Sequence, residues 1–254
     1  MPVTLPIAES LARIEDQIAA ACRRASRPRS EVGLMAVSKM HLVSAILDAI
    51  AAGQTLFGEN RVQEFQQKHV QLRGTPEAGP AATFASPLPH GVQFHLIGHL
   101  QSNKAAKAAE IFDAIDTVDS LRLAQRLNET AQKLDRVLPI LIEVKLSPEE
   151  SKTGLDPTAD PDALPTLLDQ LPDLPHLRLR GLMTVPPWSE DPETARPYFV
   201  QLRTMRDRLA ASNPRLDFSS LSMGMSGDFE VAIEEGSSCV RIGTAIFGRR
   251  PKPA

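Results

Sequence analysis

The sequence has few cysteines and few aromatic residues. Its 254 residues include two cysteines, Cys22 and Cys239, which are too few for a disulfide framework and lack the spacing of a metal site. We therefore expect two free thiols in a reducing compartment. The aromatic residues are nine Phe, one Tyr and one Trp. So few aromatic side chains argue against the base-stacking surfaces that bind single-stranded nucleic acid.

The sequence also lacks an excess of charge and a long hydrophobic run. Its 28 basic residues nearly balance its 31 acidic ones, for a formal charge of −3, so no electrostatic attraction to nucleic acid is expected. The most apolar stretch, residues 137–144, contains Pro139 and Glu143 and is too short to cross a bilayer. The first residues show no basic segment followed by an apolar run, as a secretory signal would. We predict a soluble cytoplasmic protein with neither a nucleic-acid nor a membrane partner.

The chain does have an ordinary globular composition, with 42% hydrophobic and 23% charged residues. Its length allows one large domain or two small ones. Short apolar runs typical of buried strands occur at residues 32–37, 55–57, 92–97, 114–118, 139–145, 177–185, 221–223 and 239–243. Helical patterns precede the first run and separate most of the others, at residues 6–25, 42–53, 61–73, 103–111, 121–136, 160–171, 192–212 and briefly from 228.

This alternation predicts an α/β fold. Strands separated by helices form a parallel sheet that the helices cover, and eight such units close naturally into a (β/α)8 TIM barrel, here with an additional N-terminal helix. An open, doubly wound sheet is the alternative. No linker divides the repeats, so we predict a single domain over residues 1–254. The aperiodic stretch 74–91, rich in Pro, Gly and Ala, is interpreted as a surface insertion.

Two cationic side chains stand where a barrel of this kind carries its active site, at or near the carboxyl ends of strands. Lys39 closes the first strand, and a lysine desolvated there would have a lowered pKa and a nucleophilic neutral amine. A lysine that extends its ammonium group to solvent is the alternative. Arg241 alternates with Val240 and Ile242, so it points into the barrel or between the helices. A buried guanidinium must be paired or used, and a structural ion pair is the alternative to a functional role.

Small residues follow the last two strands, where barrels commonly hold a phosphate group. Ser226 and Gly227 follow the seventh strand, and Gly243 and Thr244 follow the eighth. Backbone N–H groups there could bind an anion, although the same residues could simply make a turn and cap a helix. An amine, a phosphate site and a buried cation in one mouth together suit pyridoxal 5′-phosphate (PLP) held as a Schiff base. An arginine beside the pyridine nitrogen would leave that nitrogen unprotonated and the ring poor at stabilising carbanions.

Several segments resemble the pyridoxal phosphate homeostasis protein family, whose fold is similar to the barrel domain of alanine racemase. They run from the first strand to the last, and HLIGHLQSNK together with LSMGMSGD is the most specific part. The segments are AVSK (36–39), FGENRVQE (57–64), FHLIGHLQSNK (94–104), GLMTV (181–185), LSMGMSGDFEVAIEEG (221–236) and VRIGTAIFG (240–248). The sequence departs from the family at Met40, where a Thr is usual, and at Phe94, where a Trp is common.

The resemblance implies a set of cofactor-binding residues. Lys39 would form the Schiff base and Asn60 would lie beside the ring. Arg241 would meet the pyridine nitrogen. The expected set also contains Met223, Ser226, Gly227, Gly243 and Thr244. Of these, Ser226, Gly243 and Thr244 would take the phosphate. His95 and Lys152, the latter matching a second lysine near the site, are expected behind these ligands or at the rim.

The resemblance also implies a function without catalytic turnover. Members of the family are regarded as carriers or buffers of PLP that influence its supply to other enzymes. For this chain it implies PLP as the cofactor, transient contact with PLP-dependent apo-enzymes, and a monomer.

Enzymatic functions are the alternatives. Racemisation needs two acid–base groups on opposite faces of the substrate, and the only tyrosine, Tyr198, falls on a predicted outer helix with no second domain in view. A cofactor-independent aldolase would want acids near Lys39. A metal site at His95 and His99 is disfavoured by the strand-like run and Gly98 between them, so structural histidines are expected and no metal is predicted.

Overall fold

Eight parallel strands close into a barrel in a computed structural model that describes residues 5–73, 88–149 and 152–249. Each strand pairs with the next in chain order, and the last pairs with the first, so that Met35 lies opposite Arg241. The predicted (β/α)8 barrel is therefore confirmed, and the open-sheet alternative is wrong. The strands are β1 (Gly33–Val37), β2 (Leu56–Glu59), β3 (Gln93–Leu96), β4 (Ala114–Val118), β5 (Leu138–Glu143), β6 (Leu177–Met183), β7 (Ser220–Met225) and β8 (Cys239–Ile242).

Helices surround the barrel, and the N-terminal one is present as predicted. In the described residues they are α1 (Ile7–Arg24), α2 (Val43–Ala51), α3 (Val62–Arg73), α4 (Ala105–Ile111), α5 (Leu121–Lys133), α6 (Ala163–Gln170), α7 (Arg196–Ser212), α8 (Phe229–Glu234) and α9 (Thr244–Phe247). Ser120 caps α5, since its Oγ accepts a hydrogen bond from the Leu123 N–H at 3.4 Å. The helix predicted at 192–212 begins with a 3₁₀ turn at Pro192–Ala195, and α7 follows from Arg196.

The hydrophobic core lies mainly between the strands and the helices. Along β1, Leu34 and Ala36 pack outward into this core, whereas Met35 and Val37 point into the barrel. This alternation is the two-residue period of an extended strand. Both faces of the strand are buried, which is why its sequence is apolar throughout.

The N-terminal helix packs against helices from both the beginning and the end of the chain. Helix α1 packs against α2, α8 and α9. Its buried residues follow the helical spacing, and Arg24 forms ion pairs with Glu230 at 2.7 Å and with Glu234 at 2.9 Å. The buried face and these ion pairs fix α1 against the helices that follow β7 and β8.

Two sequence predictions concern parts of the chain that the structure does not describe in full. Most of the predicted 74–91 insertion, residues 74–87, lies outside the described residues. The single domain over residues 1–254 likewise stays a prediction.

Among the described residues, none of the helices combines the length and the apolar character needed to cross a membrane. Both cysteines are free thiols, with Cys22 buried and Cys239 half-buried.

Candidate functional site

A cavity of about 380 Å³ opens at the carboxyl ends of the strands. It collects residues from the loops after β1, β2, β3, β6, β7 and β8. Its lining consists of Val37, Lys39, His41, Asn60, Ile97, Val185, Trp188, Met225, Ser226, Gly227, Arg241, Gly243 and Thr244. Seven of the eight predicted cofactor-binding residues are in this lining, and Met223 is the exception.

Lys39 stands directly after β1, in a turn at the edge of the cavity. Its neighbour Ser38 is wholly buried, Lys39 is half-buried, and Met40 is exposed. Met40 has a φ of +63°, in the left-handed region that a side chain other than glycine seldom adopts. The His41 N–H donates to the Ser38 carbonyl at 3.1 Å, which closes a turn over residues 38–41 and leaves the lysine at the edge of the cavity.

Arg241 lies inside the barrel with only 4% of its surface exposed. Its guanidinium donates hydrogen bonds to Ser222 Oγ at 2.7 Å and to the Thr184 carbonyl at 2.8 Å. Both acceptors are neutral, and no carboxylate of the described residues is within ion-pair distance, so the structural ion-pair alternative is not observed. Burial lowers the pKa of Arg241 from its ordinary value. These two bonds use two of five N–H donors, so the group retains donors for a ligand in the cavity.

The loops after β7 and β8 form a concave surface of small residues. Gly224 has a φ of +94°, and a Cβ there would come within 2.5 Å of Ala232 Cβ, so only glycine allows α8 to pack this closely. At Gly227 a Cβ would meet nothing within 4 Å, so its backbone faces open space. Asp228, whose negative charge could repel an anion, accepts the N–H of Met225 and so turns back onto the loop.

Asn60 follows β2 and holds an unused acceptor beside the cavity. Its Oδ1 is buried and has no hydrogen-bond partner among the described residues, which normally costs free energy unless a ligand or water binds there. The loop after β3 presses against it, because a Cβ at Gly98 would lie 2.3 Å from the Asn60 carbonyl oxygen. Thr117 Oγ1 donates to the Gly98 carbonyl at 3.0 Å and holds this loop in place.

Three predicted residues lie away from the cavity lining. Met223 is wholly buried in the core between β7 and the helices, and Met225, two residues further along, faces the cavity instead. The positive φ of Gly224 interrupts the alternation between them. His95 lines a second cavity, of about 420 Å³, toward the amino ends of the strands. Lys152 is half-buried in the loop after β5 and pairs with Glu149 at 3.7 Å.

The two histidines considered for a metal have structural partners. His95 Nδ1 lies 3.2 Å from Asp116, and His99 Nδ1 lies 3.2 Å from Asp119. Burial lowers the pKa of His95, but the charge of Asp116 and its hydrogen bond outweigh burial, so the pKa is raised overall. No group of three potential metal ligands occurs within residues 5–73, 88–149 and 152–249. The metal alternative therefore has no support in the described chain.

The sequence analysis missed some residues of the lining. Trp188, the only tryptophan, lines the cavity although 78% of its surface is exposed. It follows β6 by five residues, and its position past a strand's carboxyl end could have indicated it. His41 also lines the cavity, and its ring contacts that of Phe247 with centroids 5.1 Å apart.

Three ionisable residues behind Lys39 were also missed, of which two are buried and Glu64 is half-buried. Glu59 at the end of β2 is wholly buried, and Lys68 Nζ on α3 lies 2.8 Å from Glu59 Oε1 and 2.7 Å from Glu64 Oε1. Glu59 and Glu64 belong to the quoted FGENRVQE segment, but the sequence did not show that Lys68, one helical turn after Glu64, reaches both.

Comparison with known proteins assigns the chain to a family. The family described as alanine racemase, N-terminal domain, matches residues 10–251. The pyridoxal phosphate homeostasis protein of Escherichia coli K12 is 44% identical over 248 residues, which are 96% of this chain and 97% of that protein. The protein of the same name from Vibrio cholerae is 43% identical over 244 residues, 96% of each chain.

This chain belongs to the pyridoxal phosphate homeostasis protein family.

Solved structures agree with this family membership. PipY of Synechococcus elongatus PCC7942, a structure with PLP bound, matches with a TM-score of 0.78 and 40% identity over 95% of this chain and 100% of that one. Alanine racemase of Clostridium difficile 630 matches with a TM-score of 0.65 at 13% identity, over 97% of this chain and 57% of that one. At that identity the racemase shows the shared barrel fold alone.

The residues of the cavity fit the group that the family implies. Asn60 offers a buried, unpaired acceptor, Arg241 offers donors inside the barrel, and the Ser226–Gly227 loop offers open backbone. Lys39 supplies an amine at the edge of the same space. This donor set matches an aromatic aldehyde that carries a phosphate group and a ring nitrogen.

Proposed function

We propose that this protein binds pyridoxal 5′-phosphate in the cavity at the carboxyl ends of the strands and serves in the homeostasis of that cofactor. The observation that carries the proposal is the convergence of Lys39, Arg241 and the two small-residue loops on one cavity. PLP would supply an electrophilic aldehyde, and the Lys39 amine at the edge of the cavity would hold it covalently. Relatives at about 40% identity carry the pyridoxal phosphate homeostasis name, and PipY is solved with PLP bound.

Six further residues of the lining would hold the cofactor. Ser226, Gly227, Gly243 and Thr244 bind the phosphate through hydroxyl and backbone N–H groups, as in other barrels of this kind. Asn60 would lie beside the ring. Arg241 would hold the ring nitrogen, and its positive charge would oppose protonation of that nitrogen.

We propose that the protein holds and supplies PLP rather than turning over a substrate. The names of its relatives refer to homeostasis and to no reaction. Tyr198, which the racemase alternative would need, is half-buried on α7 and does not line the cavity. We further propose a cytoplasmic monomer that makes transient contact with PLP-dependent apo-enzymes, to which it would deliver the cofactor.

The test is the spectrum and the reduction chemistry of the purified protein. With PLP the protein should become yellow, borohydride should change its visible band, and the reduced adduct should map to Lys39. Bound cofactor should also quench the emission of Trp188, which gives an independent measure of binding because no other tryptophan is present. Lys39→Ala should lose the reducible adduct.

Lys152→Ala is the matched control, since Lys152 lies outside the cavity lining. It should retain the adduct on Lys39. A wild-type protein that takes up no PLP at saturating concentration would refute the proposal. Measurable racemase or transaminase turnover by the loaded protein would contradict the carrier role.

A further inference from the structure

The peptide groups on both sides of Lys39 are held by one buried network of charged side chains. The carbonyl of Ser38, which belongs to the peptide bond before Lys39, accepts a hydrogen bond from Lys68 Nζ at 2.9 Å. The N–H of Met40, which belongs to the peptide bond after Lys39, donates to Glu64 Oε1. Because Lys68 Nζ also lies 2.7 Å from that same Glu64 oxygen, the two peptide groups are connected through a single ion pair.

Glu59 anchors this network to the barrel. Its Oε1 accepts hydrogen bonds from Lys68 Nζ at 2.8 Å and from Ser38 Oγ at 2.7 Å. Side-chain exposure is 0% for Glu59, 9% for Lys68 and 23% for Glu64. Glu59 Oε2 has no partner among the described residues, and burial raises the pKa of Glu59 although the charge of Lys68 opposes that rise.

Such a network is a poor means of gaining stability. Removing charges from water costs free energy that their mutual attraction often fails to repay, and apolar side chains of equal volume frequently serve stability as well or better. The unpaired oxygen of Glu59 adds to that cost. A geometric role accounts for the arrangement better, because two of the network's hydrogen bonds end on the peptide groups before and after Lys39.

We propose that Glu59, Lys68 and Glu64 form a clamp that fixes the backbone of Lys39 and thereby aims its amine into the cavity. The peptide planes before and after a residue define its φ and ψ, and those angles set the direction of its Cα–Cβ bond. The clamp also stabilises the left-handed conformation of Met40, which an unsupported non-glycine residue would rarely keep. This inference rests on the proposed function of Lys39, and it makes the three ionisable residues positioning residues that do not touch the cofactor.

The first test uses the protein without PLP. Lys68→Met removes the donor but keeps a long side chain, and Glu64→Ala removes the acceptor of the Met40 N–H. In each variant the Met40 amide should exchange with deuterium at least about tenfold faster than in the wild type, because its hydrogen bond loses its partner or its support. Lys133→Met, on the exposed face of α5, is the matched control and should leave that exchange unchanged.

The second test measures the capture of PLP by Lys39. The reduced adduct on Lys39 is quantified by mass spectrometry after borohydride is added at successive times. Capture should be about tenfold slower or more in Lys68→Met and Glu64→Ala, because small misplacements of a reacting group cost rates of this order. Glu64→Gln keeps an oxygen acceptor for Met40 and should recover most of the rate.

The outcomes separate this inference from the proposed function. If folded Lys68→Met and Glu64→Ala capture PLP on Lys39 at the wild-type rate, the clamp is refuted while the proposed function stands. Faster exchange at Met40 with unchanged capture also refutes it. If the wild type captures no PLP, the proposed function fails, and exchange at Met40 still decides whether the network holds the turn. If Lys68→Met does not fold, Glu64→Ala decides, since Glu64 is the most exposed of the three residues.

Discussion

At the scale of single residues, Arg241 shows how a strand's alternation places a functional group. Val240 and Ile242 pack outward into the core, so the two-residue period of β8 directs Arg241 into the barrel. The sequence left open whether it faced the barrel or the helices, and whether a carboxylate paired with it. The structure places it in the barrel with two neutral acceptors, Ser222 and Thr184.

We predict that Arg241→Met weakens the binding of PLP roughly ten- to hundredfold. A hydrogen bond to a charged group contributes about 1.5–3 kcal/mol, and the substitution removes that donor from the pyridine nitrogen. The measurement is a titration of PLP followed by the emission of Trp188. Arg180→Met, an exposed residue of β6 that lines the opposite cavity, serves as the control. Equal affinities of both variants and the wild type would remove Arg241 from the binding site.

At the scale of elements, the loop after β3 supports the loop after β2. The absence of a side chain at Gly98 lets the two backbones approach. A Cβ atom at this position would lie only 2.3 Å from the Asn60 carbonyl oxygen. The sequence identified the segment HLIGHLQSNK but attached no structural requirement to its glycine. Only the folded arrangement shows that Gly98 sets the position of Asn60.

We predict that Gly98→Ala lowers the affinity for PLP about tenfold and destabilises the protein by about 1–3 kcal/mol, the usual cost of overpacking. The added methyl group would force the Asn60 backbone out of position. Gly33→Ala is the control, because a Cβ there would meet Ser238 O at an ordinary 3.6 Å. The checks are urea denaturation and PLP titration. Unchanged values for both quantities in Gly98→Ala would contradict the tight contact.

At the scale of the whole molecule, buried carboxylates at the carboxyl ends of the strands couple the barrel's stability to pH. Glu143 ends β5 and is 4% exposed, and its Oε2 lacks a partner among the described residues. Burial raises its pKa. The hydrogen bond from Thr153 and the positive charge of Arg241 oppose that rise, whereas the charge of Asp119 adds to it. A folded-state pKa above the unfolded one stabilises the protein below the unfolded pKa, near 4.5, and that stabilisation is lost as pH rises through the folded pKa.

We therefore predict that Glu143→Gln stabilises the protein without PLP at pH 8 more than at pH 5. The variant removes a carboxylate that must be charged in a buried place at the higher pH. The measurement is the free energy of unfolding in urea at the two pH values, taken as the difference from the wild type. Glu129→Gln, an exposed residue of α5, should show no such difference. A Glu143→Gln effect that is equal at both values would mean that Glu143 titrates normally.

The sequence by itself determined the fold class and most of the candidate site. Apolar runs separated by helical patterns predict a parallel barrel, because strands buried on both faces have no room for polar alternation. The order of the chain then places whatever follows each strand at one mouth. For that reason Lys39, Arg241 and the two small-residue loops could be named without coordinates, whereas Asn60 was named from the resemblance to the family.

Only the tertiary structure decided which side chains converge and which do not. The positive φ of Gly224 shifts the alternation in β7, so Met225 faces the cavity and Met223 the core. The pairing of Lys68 with Glu59 joins α3 to the end of β2. Such contacts depend on helix rotation, loop path and burial, which are set by packing against residues distant in the chain, whereas the period of a strand is a local property that its own sequence carries.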